Sequence, residues 1–300
     1  MRLGVSLAQV GRLADPASVR AAAVSAEQVG YSSIWVLDRL LAPAAPPDPV
    51  RSEPATPCPP ALDPLAVLSY AAAVTTRVRL GTGVLVAPWY RPVVLARSLT
   101  SLDVLSDGRL TVGLGTGGSR HDGVTGGVSQ RALDEALDVL VAVWGGDSVS
   151  HDSRYQRIVS SWTGPEPVQK PHPPILLDGN TAEGRNRVAR RADGWNPANL
   201  PIDLLAPLWA DVRDRAASHG RDPDTLQLVV RADIVPTDRP VEGGRAPYAG
   251  TIEQIVFDID ATRRAGAHEV ILGLYGDRGL NEALEHYAAV AETLDLTTAA

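Results

Sequence analysis

The chain has one cysteine and one lysine in 300 residues. Cys58 alone excludes an intrachain disulfide and a cysteine-rich zinc site, and this usage fits a reducing cytoplasm. Lys170, in an apparent loop, is the one candidate for a Schiff base, since the remaining positive charge is arginine. Positive charge is itself short: 28 Lys+Arg stand against 35 Asp+Glu, a formal charge of −7. Sequence-independent binding to nucleic-acid phosphates needs a positive field and is therefore not expected. No apolar run approaches the roughly 18 residues of a membrane span. The apolar segment after Met1-Arg2 is short and holds Gly4, Ser6 and Gln9, so it reads as a first strand, and no membrane partner is expected. The histidines, at 121, 151, 172, 219, 268 and 286, show no HxH or HExxH spacing, so no metal site is expected. No GxSxG nucleophile elbow is present either.

What is present is an ordinary globular composition, 44% hydrophobic and 21% charged, patterned as alternating strands and helices. Residues 3–7 read as an apolar strand. Asp15 and Pro16 then supply an N-cap and first turn for a helix ending at Gly30, and residues 33–37 form the next buried strand. Asp63-Pro64 repeats the cap signal and opens a helix to about Thr76; residues 78–86 are a third strand. Pro92 starts a helix with Val94, Leu95, Leu99 and Leu102 at apolar spacing, and 109–116 is a fourth strand. A glycine-rich loop from Gly117 to Gly127 leads to a helix over 131–144. The later strands fall at 175–177, 193–195, 226–235 and 270–274. They alternate with helices capped by Thr181, over 201–219, opened by the capping box Thr251-Ile252-Glu253-Gln254, and over 280–294. Eight β/α pairs in about 300 residues predict an α/β fold, a (β/α)8 TIM barrel spanning residues 1–300 as one domain. Irregular insertions are expected near 41–62 and 145–173; a doubly wound open sheet is the competing architecture.

In such a barrel the site is built at the C-terminal strand ends. Here these are Ala8-Gln9, Asp38-Arg39, residues 83–87, residues 116–121, residues 178–181, Trp195-Asn196, Asp233 and residues 275–277. Asp38 leaves a run of apolar strand residues, where an ionised carboxylate needs hydrogen bonds or a cation. It reads either as a solvated or salt-bridged loop acid or as a carboxylate bonding the polar edge of a ligand. Gly81 and Gly83 interrupt a branched strand. They mark either a bulge where Thr82 and Gly83 floor a flat cofactor or a place where barrel packing admits no side chain. Asp178-Gly179-Asn180-Thr181 joins a strand to a helix in four residues. Its backbone N–H groups suit a phosphate, with Arg185 and Arg187 nearby, although Thr181 reads equally as an ordinary cap. Gly113 to Gly118 matches a dinucleotide fingerprint only as a string, because its glycines lie within and just after a strand. His121 is the one histidine placed to act as acid or base at the barrel mouth.

Taken in order, several segments resemble the bacterial luciferase-like flavin oxidoreductases, especially the branch dependent on coenzyme F-420, a deazaflavin. They are residues 32–38, 63–84 and 102–109, then 131–144, 171–175, Gly179-Asn180 and 192–195. The resemblance implies a barrel, usually dimeric, binding a flavin-type ring at the strand ends and acting on a small organic substrate. It implies a non-prolyl cis peptide at Gly83-Val84 against the ring, Asp38 bonding the ring, and the helix start at Gly179-Asn180-Thr181 taking the cofactor phosphate. Thr82 and Thr116 complete the expected cofactor contacts. The chain departs from many F-420-dependent relatives at Arg39, where they carry histidine; an arginine stays protonated and serves to stabilise negative charge. It also carries Gly118 where some sugar-phosphate dehydrogenase relatives have an acid, so that activity is not carried over. The expected function is hydride transfer between the deazaflavin and substrate, with Arg39 and His121 as the catalytic residues. The alternatives are an FMN-dependent monooxygenase and a non-catalytic cofactor-binding member.

Overall fold

A computed structural model describes residues 1–41, 61–117, 130–146, 148–153, 157–198, 200–273 and 279–296. Cys58, His121 and nearly all of the insertion expected near 41–62 lie outside the described residues. The chain runs β1 (Arg2–Ser6), α1 (Pro16–Val29), β2 (Ser33–Val36), α2 (Pro64–Val74), β3 (Arg79–Thr82), β4 (Leu85–Val86), α3 (Pro92–Leu105) and β5 (Leu110–Gly115). It continues with α4 (Gln130–Trp144), β6 (Ser148–Asp152), β7 (Arg157–Trp162), β8 (Ile175–Leu177), α5 (Ala182–Arg191), β9 (Gly194–Trp195) and α6 (Ile202–Ser218). The remainder is β10 (Gln227–Asp233), β11 (Val235–Pro236), β12 (Ala249–Gly250), α7 (Ile252–Arg264), β13 (Glu269–Gly273) and α8 (Leu280–Thr293).

Nine of these strands form one parallel sheet in the order β3-β2-β1-β13-β10-β9-β8-β5-β4, and the added β3–β5 pairing closes it. β3 and β4 are two halves of one stave, so the sheet is an eight-stave barrel, the (β/α)8 architecture expected from the alternation. Local chemistry sets the boundaries where the sequence signals them. Asp15 accepts the Ala17 and Ser18 N–H groups ahead of Pro16, and Gly30 closes α1 in the left-handed conformation. Thr251 and Gln254 complete a capping box on α7. The insertion near 145–173 contains an antiparallel hairpin, β6 with β7, and two cis X-Pro bonds, at Gly164-Pro165 and Lys170-Pro171. Among the described residues, no helix is long and apolar enough to cross a membrane.

Two cores separate by strand parity. Side chains facing outward from the staves pack with the helices in one large cluster that includes Val5, Ile34, Leu80, Leu114, Leu177, Leu228 and Leu272. Trp35, Leu176, Val229 and Ile271 form a second cluster of their own inside the barrel. Two residues earlier on three of those strands, Ser33, Gln227 and Glu269 join Arg2, Arg79 and Thr111 in lining a cavity of about 190 Å³ at the barrel bottom. Successive side chains on a strand alternate in and out, so these positions identify the lumen face of every stave. Trp35 dominates that face. Its Nε1 donates to Ser33 Oγ at 2.7 Å and to Glu269 Oε1 at 3.2 Å, and Arg2 Nε donates to Glu269 Oε2 at 3.1 Å.

The indole dictates glycine around it. A Cβ on Gly4 would lie 2.7 Å from Trp35 Nε1, and one on Gly81 would lie 2.2 Å from the indole ring. Of the two readings open for the glycines of the third stave, Gly81 therefore follows the packing one. An overpacked barrel core loses roughly 1–3 kcal/mol. Gly81→Ala is expected to lower urea-unfolding stability by about that amount, and unchanged stability would show that Trp35 yields.

Candidate active site at the barrel mouth

Extending the same parity two residues past the inner cluster gives the mouth: Leu37 from Trp35, Gly83 from Gly81, Gly115 from Gly113, Asp178 from Leu176, Asn196 from Gly194, Arg231 from Val229 and Gly273 from Ile271. The third stave is broken here. β3 ends at Thr82 and pairs with β5 at Leu80 and Gly81, whereas β4 begins at Leu85 and pairs with Leu114 and Gly115. Gly83-Val84 lies between the halves and is a non-prolyl cis peptide, as the resemblance implies. The Thr82 hydroxyl pins the break: it accepts from Gly113 N and donates to Gly113 O, both at 2.8 Å. Only glycine allows that approach, since a Cβ on Gly113 would be 2.0 Å from Thr82 O. The side chain of Thr82, one of the expected cofactor contacts, is fully buried and committed to the neighbouring stave.

Gly83 differs from Gly81. Among the described residues an added Cβ there would meet only the Trp35 ring at 3.5 Å and Asn196 Oδ1 at 3.7 Å, ordinary van der Waals contacts. Packing among the described residues does not require glycine at this position. Beside it, Asn196 is buried and its Nδ2 donates to Val229 O at 2.7 Å, turning Oδ1 toward Gly83. Val84 and Asp178 flank the bare face of Gly115: a Cβ there would be 2.7 Å from Val84 Cγ2 and 2.6 Å from Asp178 Oδ2.

Asp38 sits at the end of β2, on a backbone held by Gln9. The Gln9 side chain donates to Leu37 O and accepts from Leu37 N, each at 2.8 Å. The Asp38 carboxylate accepts from Val86 N at 2.9 Å and from Tyr90 Oη at 3.0 Å, binding β2 to the second half of the broken stave. Burial, with Asp38 alongside, pushes the Tyr90 phenol above its ordinary pKa, so Tyr90 remains a donor. Arg39, next in the chain, has a buried Nε with no hydrogen-bond partner among the described residues.

The expected phosphate end is plainer. Thr181 Oγ1 accepts from Gly184 N at 3.0 Å and caps α5, and a Cβ on Gly179 would strike the Gly184 backbone at 2.8 Å. Asn180 is exposed, its Nδ2 3.5 Å from Ala198 O. Arg185 reaches this helix start, its Nη1 donating to Asn180 O at 2.7 Å, but both it and Arg187 are paired with carboxylates. Arg185 pairs with Asp211 at 2.7 Å, and Arg187, buried, holds Asp134 at 2.7 and 3.1 Å and Gln130 Oε1 at 2.6 Å. An anion there would rest on backbone N–H groups. Thr116 turns to the same network, its hydroxyl 3.4 Å from Gln130 Nε2, so its side chain leans on α4.

Asp178, Asn196 and Asp233 were legible as strand ends but not as lumen residues, and Arg231 was missed. The signal was the period of two, counted from Leu176, Gly194 and Val229. Arg231 pairs with Asp233 at 2.9 and 3.1 Å, which neutralises both at the rim. Asp178 accepts no hydrogen bond from the described residues, and burial pushes its carboxyl up to about 6 despite the opposing field of Arg187.

The residues fit a flat heterocycle: a side-chain-free face at Gly83, an indole and the Asn196 amide oxygen beside it, and a helix start for an anionic tail. Residues 1–294 match the Luciferase-like monooxygenase family. The uncharacterized Mycobacterium tuberculosis protein Rv0953c is 36% identical over 180 residues, 58% of this chain and 62% of that one, so the match spans less than two thirds of the relative's length. The crystal structure of monooxygenase RslO1 from Streptomyces bottropensis superposes with a TM-score of 0.80 at 21% identity, covering 98% of both chains. An F420-dependent secondary alcohol dehydrogenase in complex with an F420-acetone adduct gives 0.77 at 17% identity, over 96% of this chain and 98% of that one.

The raised acidity constant has a consequence for stability. The folded Asp178 carboxyl ionises near pH 6 and an unfolded one near pH 4, so the folded chain holds more protons between these values. This group's contribution to stability is full below pH 4, falls as pH rises through 6 and stays lost above it. Asp178→Asn is expected to melt higher than wild type at pH 8 and at nearly the same temperature at pH 4. A lower melting temperature at pH 8 would contradict an unpaired, desolvated carboxylate. The chain belongs to the luciferase-like monooxygenase family.

Proposed function

We propose that the protein is an oxidoreductase that binds coenzyme F-420 across Gly83-Val84 and passes a hydride between its ring and a small organic substrate. The observation that carries this reading is the bare face at Gly83, which no contact among the described residues demands and which lies beside Asn196 at the mouth. A bound deazaflavin supplies two-electron hydride chemistry. The protein supplies the geometry, and holding two reactants in register is the larger part of such catalysis. The Trp35 indole backs the ring position and is locked by Ser33 and Glu269. Asp38 and Tyr90 fix the far side of the broken stave. The Nε of Arg39, without a hydrogen-bond partner among the described residues, stabilises negative charge on ring or substrate. Family membership and the likeness to an F420-dependent dehydrogenase support the assignment.

A second reading, an FMN-dependent monooxygenase, is favoured by the family's own description and by the likeness to RslO1. Parallel fluorescence titrations with coenzyme F-420 and FMN separate the two. F-420 is expected to bind with Kd below about 100 μM, near −5.5 kcal/mol. Gly83→Val is expected to weaken binding at least about tenfold, or 1.4 kcal/mol, with little change in melting temperature. Preferential FMN binding, with rapid reoxidation of the reduced complex by oxygen, would select the second reading; binding of neither would overturn both.

A further inference from the structure

We propose that Asp178 is a further catalytic residue of the mouth: its carboxyl delivers, or in reverse removes, the proton that accompanies hydride transfer to a polarised double bond. The inference rests on the hydride-transfer reading above and adds the proton path and the acceptor class, a carbonyl or a conjugated alkene.

Three observations converge on this residue. The first is direction. Asp178 follows Leu176 on the lumen face of β8, and its Oδ2 lies against Gly115, beside Val84 of the broken stave. It thus borders the surface on which the ring is proposed to lie. The second is isolation. The elements packed around it supply no hydrogen bond to the carboxylate among the described residues. β5 contributes Gly115 and the break contributes Val84, both uncharged. β9 contributes Asn196, whose amide N–H is committed to Val229 O. On β10, Arg231 and Asp233 satisfy each other. On α5, Arg187 acts on Asp178 as a field, but its guanidinium is taken by Asp134 and Gln130, with Glu183 at 3.7 Å. The third is access. Asp178 is half-buried, and among the described residues nothing bonds its carboxylate in a way that would give it a structural role, so it is placed to exchange a proton with a molecule in the mouth.

The step balances. In the reducing direction a hydride, two electrons with one hydrogen nucleus, passes from the reduced deazaflavin to the carbon of the double bond. The π bond breaks, and the oxygen or enolate end takes the proton from Asp178. The acceptor is reduced, the coenzyme is oxidised and gives up its ring N–H proton to solvent, and the Asp178 carboxylate takes a proton back from solvent. A guanidinium does not release its proton in such a step, so Arg39 is left to charge stabilisation.

The test uses the full-length wild type, Asp178→Asn and Asp178→Glu, with coenzyme F-420 as the ligand and acetone and 2-cyclohexen-1-one as acceptors. Both variants are expected to bind the coenzyme within about threefold of wild type by fluorescence quenching. A ¹³C-labelled aspartate carboxyl titrating near pH 6 is expected in wild type and absent from Asp178→Asn, and its midpoint should move when coenzyme binds. Oxidation of reduced coenzyme by at least one acceptor should be about 10²–10⁴-fold slower in Asp178→Asn. That variant should also lose the fall in rate above pH 6, and Asp178→Glu should recover part of the rate. Equal rates and pH profiles in wild type and Asp178→Asn, a carboxyl midpoint that ignores bound coenzyme, or no oxidation by either acceptor would overturn the role of Asp178 while leaving cofactor binding intact. Failure of all three proteins to bind coenzyme would instead overturn the cofactor reading, and this assignment with it.

Discussion

Trp35 packs inside the barrel with Leu176, Val229 and Ile271, and the volume it takes constrains the staves beside it. Gly4 and Gly81 are glycine because the indole lies within 3 Å of where their side chains would begin. Its Nε1 is held by Ser33 and Glu269, so the ring cannot slide along the barrel axis without breaking buried hydrogen bonds. The indole therefore divides the lumen. Below it lies the polar cavity of Arg2, Arg79, Gln227 and Glu269; above it lies the mouth, where Gly83 faces the indole.

The mouth is a product of one broken stave. Once β3 stops at Thr82, Gly113 must be glycine to admit the Thr82 carbonyl, and Gly115 must be glycine to seat Val84 and Asp178. The string of glycines in β5 that imitates a nucleotide fingerprint is thus a record of how closely two staves approach. Asp38 completes the same device from the other side, since its bonds to Val86 and Tyr90 tie β2 to the half of the stave beyond the break. Asp38 acts first on the protein, whatever it also offers a ligand.

The barrel was legible because its punctuation is local. Asp15-Pro16, Asp63-Pro64 and the Thr251–Gln254 box announce helix starts through hydrogen bonds made within four residues, and the structure forms each of them. The break between β3 and β4 was legible only as two glycines of ambiguous meaning, because the partner that separates their roles, Trp35, lies more than forty residues away in the chain. Thr82, Thr116, Arg185 and Arg187 were read from proximity in sequence to glycines or a helix start. Their commitments to Gly113, Gln130, Asp211 and Asp134 are tertiary and left no local mark. Asp178 and Arg231 show the converse: alternation from Leu176 and Val229 points them inward, but only after the inner cluster is known does the alternation acquire a phase.

The central claim is that a planar heterocycle occupies the mouth above Trp35 with its face on Gly83-Val84, and a crystal structure of the protein grown with coenzyme F-420 tests it most directly. The account predicts the tricyclic ring stacked on that peptide, Asn196 and Arg39 at its edges, Asp178 toward its reactive face and the anionic tail at the first turn of α5. A ring bound elsewhere, or lodged in the basal cavity beneath the indole, would contradict it.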